Sequence, residues 1–224
     1  MTERSLILLD NDILLKAAAY SLSGSSKRIF DIDRLDCQIL SSAKYVLPQV
    51  LATKRTFTEP NAVKSEMEVL LSTFVELELT DAELEAAAVL EQLAIRNSLE
   101  LDVGESQLLA VRITRSQGFL LTGDKRAISA IELLCDHVEI PENFVACLEQ
   151  FMVSVLQQES FSDIRASVCS NATADKAVAI CFSCKSPCAD EANVVEALTS
   201  YITDLRKSSR RVLAEGTSLL AVVP

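Results

Sequence analysis

Tryptophan is absent from this 224-residue chain and aromatic residues make up only 5% of it, which leaves no face of stacking side chains for single-stranded nucleic acid. Glycine and proline number 5 each, too few for a collagenous, low-complexity or disordered composition. Positive charge is scarce. The 21 Lys and Arg against 32 Asp and Glu leave a net −11, which argues against gripping long nucleic acid through bulk positive charge, although a small acidic pocket remains compatible. No apolar run approaches the roughly 20 residues that span a bilayer, and the short run at 6–9 follows Glu3 and Arg4; the expectation is a soluble, cytoplasmic protein with no membrane partner. The single histidine, His137, falls near a loop, so no Ser/His or Cys/His nucleophilic pair can be assembled and a structural role is expected.

Hydrophobic residues amount to 49% and charged residues to 24%. The length suits one large domain, or a medium domain with an appended module. Residues 5–10 form an almost unbroken apolar run ending at Asp10, the pattern of a strand buried on both faces of a parallel sheet. Asn11 and Asp12 are placed to cap the helix that follows. Further along, 21–26 reads as a polar loop, 30–41 as a helix, 44–47 as a short strand before Pro48, and 48–54 and 61–73 as helices. A short strand is expected at 75–79, and the strongest helical pattern covers 81–96. A helix opens at Asp102 and closes at Gly118, 119–122 is a second buried strand, and Gly123-Asp124-Lys125-Arg126 leads into a helix over 127–134. A last strand at 138–140 and a helix from Pro141 to about 155 complete a domain over 1–157. Residues 158–224 read as a helical C-terminal extension with a cysteine cluster.

Two strand ends, Asp10 and Asp124, and one helix start, Glu105, each present a carboxylate, and a parallel sheet gathers such ends into one crevice. Clustered carboxylates repel unless a pKa rises or a cation intervenes, and hard oxygen ligands select Mg²⁺ or Mn²⁺. Such an ion activates water for attack on a phosphodiester. Simpler roles stand beside this one: Asp102 and Glu105 are spaced as a capping box, and Asp12 and Asp124 are placed as helix caps.

The segments Leu8-Leu9-Asp10-Asn11-Asp12-Ile13-Leu14-Leu15, Asp102-Val103-Gly104-Glu105-Ser106-Gln107-Leu108-Leu109-Ala110 and Leu120-Leu121-Thr122-Gly123-Asp124-Lys125-Arg126-Ala127 resemble, in order and spacing, the successive motifs of PIN-domain proteins. The similarity covers roughly residues 5–140. It implies a Rossmann-like fold with a central, mostly parallel sheet flanked by helices. It also implies metal-dependent ribonuclease activity, as in the toxin components of toxin–antitoxin pairs and in RNA-processing enzymes. By this resemblance Asp10, Glu105 and Asp124 are the catalytic metal ligands, with Asp12 and Asp102 assisting. RNA is the implied substrate, an antitoxin or regulatory protein a possible partner, and a homo-oligomer a possible assembly. One departure stands out. Residues 48–55, where the family carries a further acid, hold no carboxylate; Glu66 or Glu68 on the next helix, or Asp12 and Asp102, are the candidates for that place. The alternative is a degenerate PIN-like scaffold acting as a non-catalytic binding or regulatory subunit.

Lys16, Lys54, Arg55, Lys125 and Arg126 are placed to approach a substrate phosphate, or simply to solvate a surface. Arg206, Lys207, Arg210 and Arg211 form a basic cluster that reads as an RNA-tracking patch or a solvated helix end. Seven cysteines, an odd number, make a disulfide framework a poor explanation, and reduced thiols or a metal site fit better. Cys169, Cys181, Cys184 and Cys188 offer a tetrahedral Zn²⁺ site, or buried thiols packing as small hydrophobes.

Overall fold

The computed structural model describes residues 5–30, 35–53 and 57–221. Lys54 and Arg55, and part of the helix expected at 30–41, lie outside them. Five parallel strands form one sheet in the order β3-β2-β1-β4-β5: β1 Ser5–Leu9, β2 Leu35–Leu40, β3 Val75–Leu77, β4 Phe119–Thr122 and β5 Val145–Cys147. Every connection between them carries helix, so the architecture is a Rossmann-like α/β sheet flanked by helices. The helices are α1 Asn11–Ala19, α2 Ser23–Ile29, α3 Ala43–Thr53, α4 Pro60–Thr73, α5 Asp81–Arg96, α6 Val103–Arg115, α7 Lys125–Leu134, α8 Leu148–Leu156, α9 Phe161–Ser170, α10 Lys176–Cys181 and α11 Glu191–Ser208.

The inner strands of this parallel sheet are too apolar to leave a face in water. Leu6, Ile7, Leu8 and Leu9 are all buried, so both faces of β1 are covered, and only helical crossovers cover both faces at once. β1 is central, with Leu9 opposite Ile39 on one side and Leu121 on the other. The chain winds one way from β1 to β2 and β3 and the other way to β4 and β5. The crevice at the carboxyl ends of β1 and β4 is therefore the topological switch point, where such sheets place ligands.

Several local expectations are corrected. The second strand is β2, not 44–47; Leu35, Cys37 and Ile39 alternate with Asp36 and Gln38, which hydrogen-bond to each other across one face (Gln38 Nε2 to Asp36 Oδ2, 2.8 Å). Pro48 sits inside α3 rather than at the start of a helix. The last strand is β5, not 138–140, and the following helix begins at Leu148, not Pro141. Every residue from 144 to 156 is buried, and full burial erases the periodicity that separates strand from helix. Residues 23–26, expected in a polar loop, belong to α2.

Past residue 157 the chain returns to the sheet. Asn143 N and Phe144 N donate to Arg211 O and Val212 O, and Ala214 N donates to Val145 O, so the 211–214 segment covers the outer edge of β5. Gln150 Nε2 holds that segment through Ala214 O (3.1 Å) and Gly216 O (3.0 Å). Covering an edge strand removes a site of unwanted pairing. No helix among the described residues is long and apolar enough to cross a membrane.

Candidate acidic site

Asp10 follows the last residue of β1 and is the N-cap of α1. Its backbone N–H donates to Leu121 O (3.0 Å), which aligns it with the end of β4, and Thr122 Oγ1 donates to its Oδ2 (2.9 Å). The same hydroxyl accepts from Asp124 N (3.1 Å). Thr122 thus ties the two strand-end aspartates together, a role the Leu-Thr-Gly-Asp segment does not reveal by itself.

Asp124 caps α7, with Oδ1 accepting from Arg126 N (2.8 Å) and Oδ2 meeting Arg126 Nη2 (2.9 Å). Asp102 and Glu105 form the anticipated capping box of α6: Glu105 N donates to Asp102 Oδ1 and Asp102 N donates to Glu105 Oε2, both at 2.8 Å. Asp12, in the first turn of α1, pairs with Lys16 (2.5 Å). These acids line one crevice of about 610 Å³, together with Asn11, Ser42 and Gln107. The structure therefore gathers Asp10, Asp12, Asp102, Glu105 and Asp124 from three separate stretches of chain.

Electrostatics divides them. Burial, then the charges of Asp12 and Asp102, push the Asp10 carboxyl up to about 7, against the Thr122 hydrogen bond. Burial pushes Glu105 up to about 8, with Asp102, Asp10 and Asp124 adding to it against the hydrogen bond from Asp102 N–H. Asp124 goes the other way: burial works against its charge, but the Arg126 hydrogen bonds and charge outweigh it and hold the carboxyl below its ordinary value. At neutral pH the crevice combines ionised and substantially protonated carboxyls.

Lys16 lies beneath this cluster. Its ammonium meets Asp12 at 2.5 Å and Asp175, the N-cap of α10, at 2.8 Å, and reaches Gly123 O at 3.4 Å. Burial disfavours its charge, but Asp12 and Asp175 outweigh that and raise its pKa. A Cβ at 123 would lie 2.3 Å from Asp12 Oδ2 and 2.9 Å from Lys16 Nζ, so any larger residue there displaces the ends of these two side chains. Asp175 escaped the sequence reading because no local pattern connects it to a lysine so distant in the chain.

The Mg²⁺ or Mn²⁺ expectation is overturned. Among the described residues no three His, Cys, Asp or Glu form a group able to hold a metal ion. The donor set explains why. Asp12 faces an ammonium, Asp124 faces a guanidinium, and Asp102 and Glu105 each give an oxygen to the other's backbone N–H. The Zn²⁺ expectation fails as well. Cys169 and Cys184 are joined in a disulfide, Cys181 is buried and Cys188 is exposed. That disulfide also corrects the expectation of reduced thiols throughout.

The remaining candidates are dispersed. Glu66 accepts from Ser23 N (3.1 Å) and Glu68 pairs with Lys64 (3.8 Å), so neither fills the place of the missing acid. Lys125 pairs with buried Glu149 (2.5 Å) and lies 4.6 Å from the centre of the Tyr201 ring, while Arg126 also holds Glu100 (2.8 Å). Arg206 donates to Ala214 O and Gly216 O, both at 2.9 Å, Arg211 binds Glu132 and Asp136, and Lys207 pairs with Asp204. The basic cluster is largely consumed within the fold. His137 is exposed. No family model, no curated protein and no solved structure matches the chain.

Proposed function

We propose that the chain is a PIN-like scaffold acting as a binding or regulatory subunit, whose acidic crevice receives a cationic side chain of a protein partner. One observation carries this reading: the crevice is open, yet Asp12, Asp102, Glu105 and Asp124 are already engaged with groups of the chain itself. With Asp12 and Asp124 already paired to Lys16 and Arg126, Asp10 and Glu105 are left without a cationic partner among the described residues, and a guanidinium or ammonium brought by a protein complements them. An incoming cation favours the ionised forms of Asp10 and Glu105, so binding releases protons and strengthens as pH rises through about 7 to 8.

A second reading, hydrolysis of RNA phosphodiesters in the same crevice, is favoured by the convergence of Asp10, Glu105 and Asp124 at the switch point. One pair of experiments separates the two. In calorimetric titration with a tri-arginine peptide, affinity is expected to rise about tenfold between pH 6 and pH 8.5. It is expected to collapse in the Asp10→Asn/Glu105→Gln double variant. In parallel, a mixed RNA pool is incubated with the parent, Asp10→Asn and Asp124→Asn, with Mn²⁺, Mg²⁺ or EDTA. Cutting by the parent that both substitutions abolish would overturn the scaffold reading, as would the absence of any peptide binding.

A further inference from the structure

A separate crevice, sharing no lining residue with the acidic one, lies against α10 and the turn that follows it. It encloses about 620 Å³, within the range of small-molecule sites. Its lining is largely aliphatic, through Ala172, Ala179, Ile180 and Cys184, with Lys176 and Lys185 among the polar residues that border it. Ile180 is 66% exposed, so the groove presents a large apolar side chain that the described residues leave uncovered.

Its wall is built rather than loose. Cys184 is tied to Cys169 on α9 by the disulfide. Arg165, also on α9, donates to three carbonyls of the turn, Phe182 O (3.2 Å), Ser183 O (3.3 Å) and Ser186 O (2.7 Å). Preorganisation of this kind lowers the cost of ordering a site around its ligand.

The charge at the groove runs against that of the molecule. In a chain of net −11, Lys176 and Lys185 are exposed and have no acidic partner among the described residues. Asp175, the neighbouring carboxylate, is directed to Lys16 at 2.8 Å and does not neutralise Lys176. An apolar floor with two free ammonium groups at its border suits a ligand with a hydrocarbon body and one anionic head. A polyanion would meet the repulsion of the acidic remainder.

We propose that this groove binds an aliphatic monocarboxylate, with the chain laid over Ile180 and Ala179 and the carboxylate held by Lys176 and Lys185. The test uses the intact, disulfide-bonded protein and dodecanoate below its aggregation threshold, followed by calorimetry. Saturable one-site binding is expected. Ile180→Asp should weaken it by about tenfold or more by placing a carboxylate in the apolar floor, and its unchanged thermal melt would show that the exposed substitution leaves the fold intact. Lys176→Met with Lys185→Met should weaken dodecanoate while leaving the weaker binding of dodecanol unaltered. Absence of saturable binding, or affinity indifferent to Ile180→Asp, overturns the proposal. So does binding of an acidic leucine-containing peptide without binding of dodecanoate, which would make the groove a protein-docking surface.

Discussion

An aspartate at the end of a fully buried strand meets two opposing demands: the sheet carries it out of water, and its charge resists that transfer. Asp10 answers with a hydrogen bond from Thr122 and with a carboxyl raised to about 7. The consequence for stability has a definite sign. Between the ordinary aspartate range near 4 and about 7 the folded state holds a proton that the unfolded state has released, so stability falls as pH rises through that window and levels off above it. Glu105 extends the same trend to about 8. Asp10→Asn removes the first contribution while keeping an oxygen to accept from Thr122. Its melting temperature, relative to the parent, should climb between pH 4.5 and 7 and then stay level. A difference that does not change with pH would refute the buried, raised carboxyl. At this scale the acids themselves were legible, because each follows an apolar strand or opens a helix. Their long-range partners were not: Thr122 reaches Asp10 and Asp175 reaches Lys16 through geometry that spacing does not encode.

Among the helices, those with chemically explicit ends were readable from the chain. The expectation for α5, 81–96, coincides with the observed Asp81–Arg96, and its start is set by a reciprocal pair: Glu83 N donates to Thr80 Oγ1 (3.3 Å) and Thr80 N donates to Glu83 Oε2 (2.8 Å). Glu83 additionally holds Arg115 at the end of α6 (2.7 Å), linking two helices that pack together. Arg115's hydrogen bonds outweigh the burial of Glu83 and keep its carboxyl below the ordinary value. Thr80→Ala should therefore cost about 1 kcal/mol, within the usual span for a lost cap, whereas Thr80→Ser should cost less. Urea unfolding followed by circular dichroism measures both, and equal midpoints for Ala and Thr would show that the cap contributes nothing. The elements that were misread lack such punctuation. β2 alternates over only six residues, and β5 is three residues long and runs straight into the buried helix α8. Pro48, a strong breaker by rule, lies on an exposed stretch of α3, where the helix continues through it.

Across the whole molecule, the region beyond residue 157 is stitched to the sheet by polar contacts of very long range. Asn171 Nδ2 donates to Ala19 O (2.8 Å), Ser167 Oγ to Tyr20 O (2.5 Å), and Asp175 pairs with Lys16 beneath the acidic crevice. Removing one carboxylate from a buried ammonium leaves charge poorly compensated. Asp175→Ala should lower stability by about 1–3 kcal/mol, less than for a fully orphaned charge because Asp12 remains. The loss should shrink in an Asp175→Ala/Lys16→Met background, and a double-mutant cycle with no coupling would show that the two regions are not joined through this pair. The division between chain and fold follows from the same contacts. The sequence by itself determined the α/β class, the parallel strands β1 and β4, the capped helices α5 and α6, and the acids that would share a crevice, because apolar runs, caps and strand ends are local signals. Tertiary structure alone decided the strand order, the edge formed with 211–214, the Cys169–Cys184 pairing, the Thr122 hydrogen bond to Asp10 and the reach of Asp175 to Lys16. The latter outcomes depend on which distant groups burial forces together. Burial makes each unpaired charge costly enough that the fold supplies a partner from elsewhere in the chain.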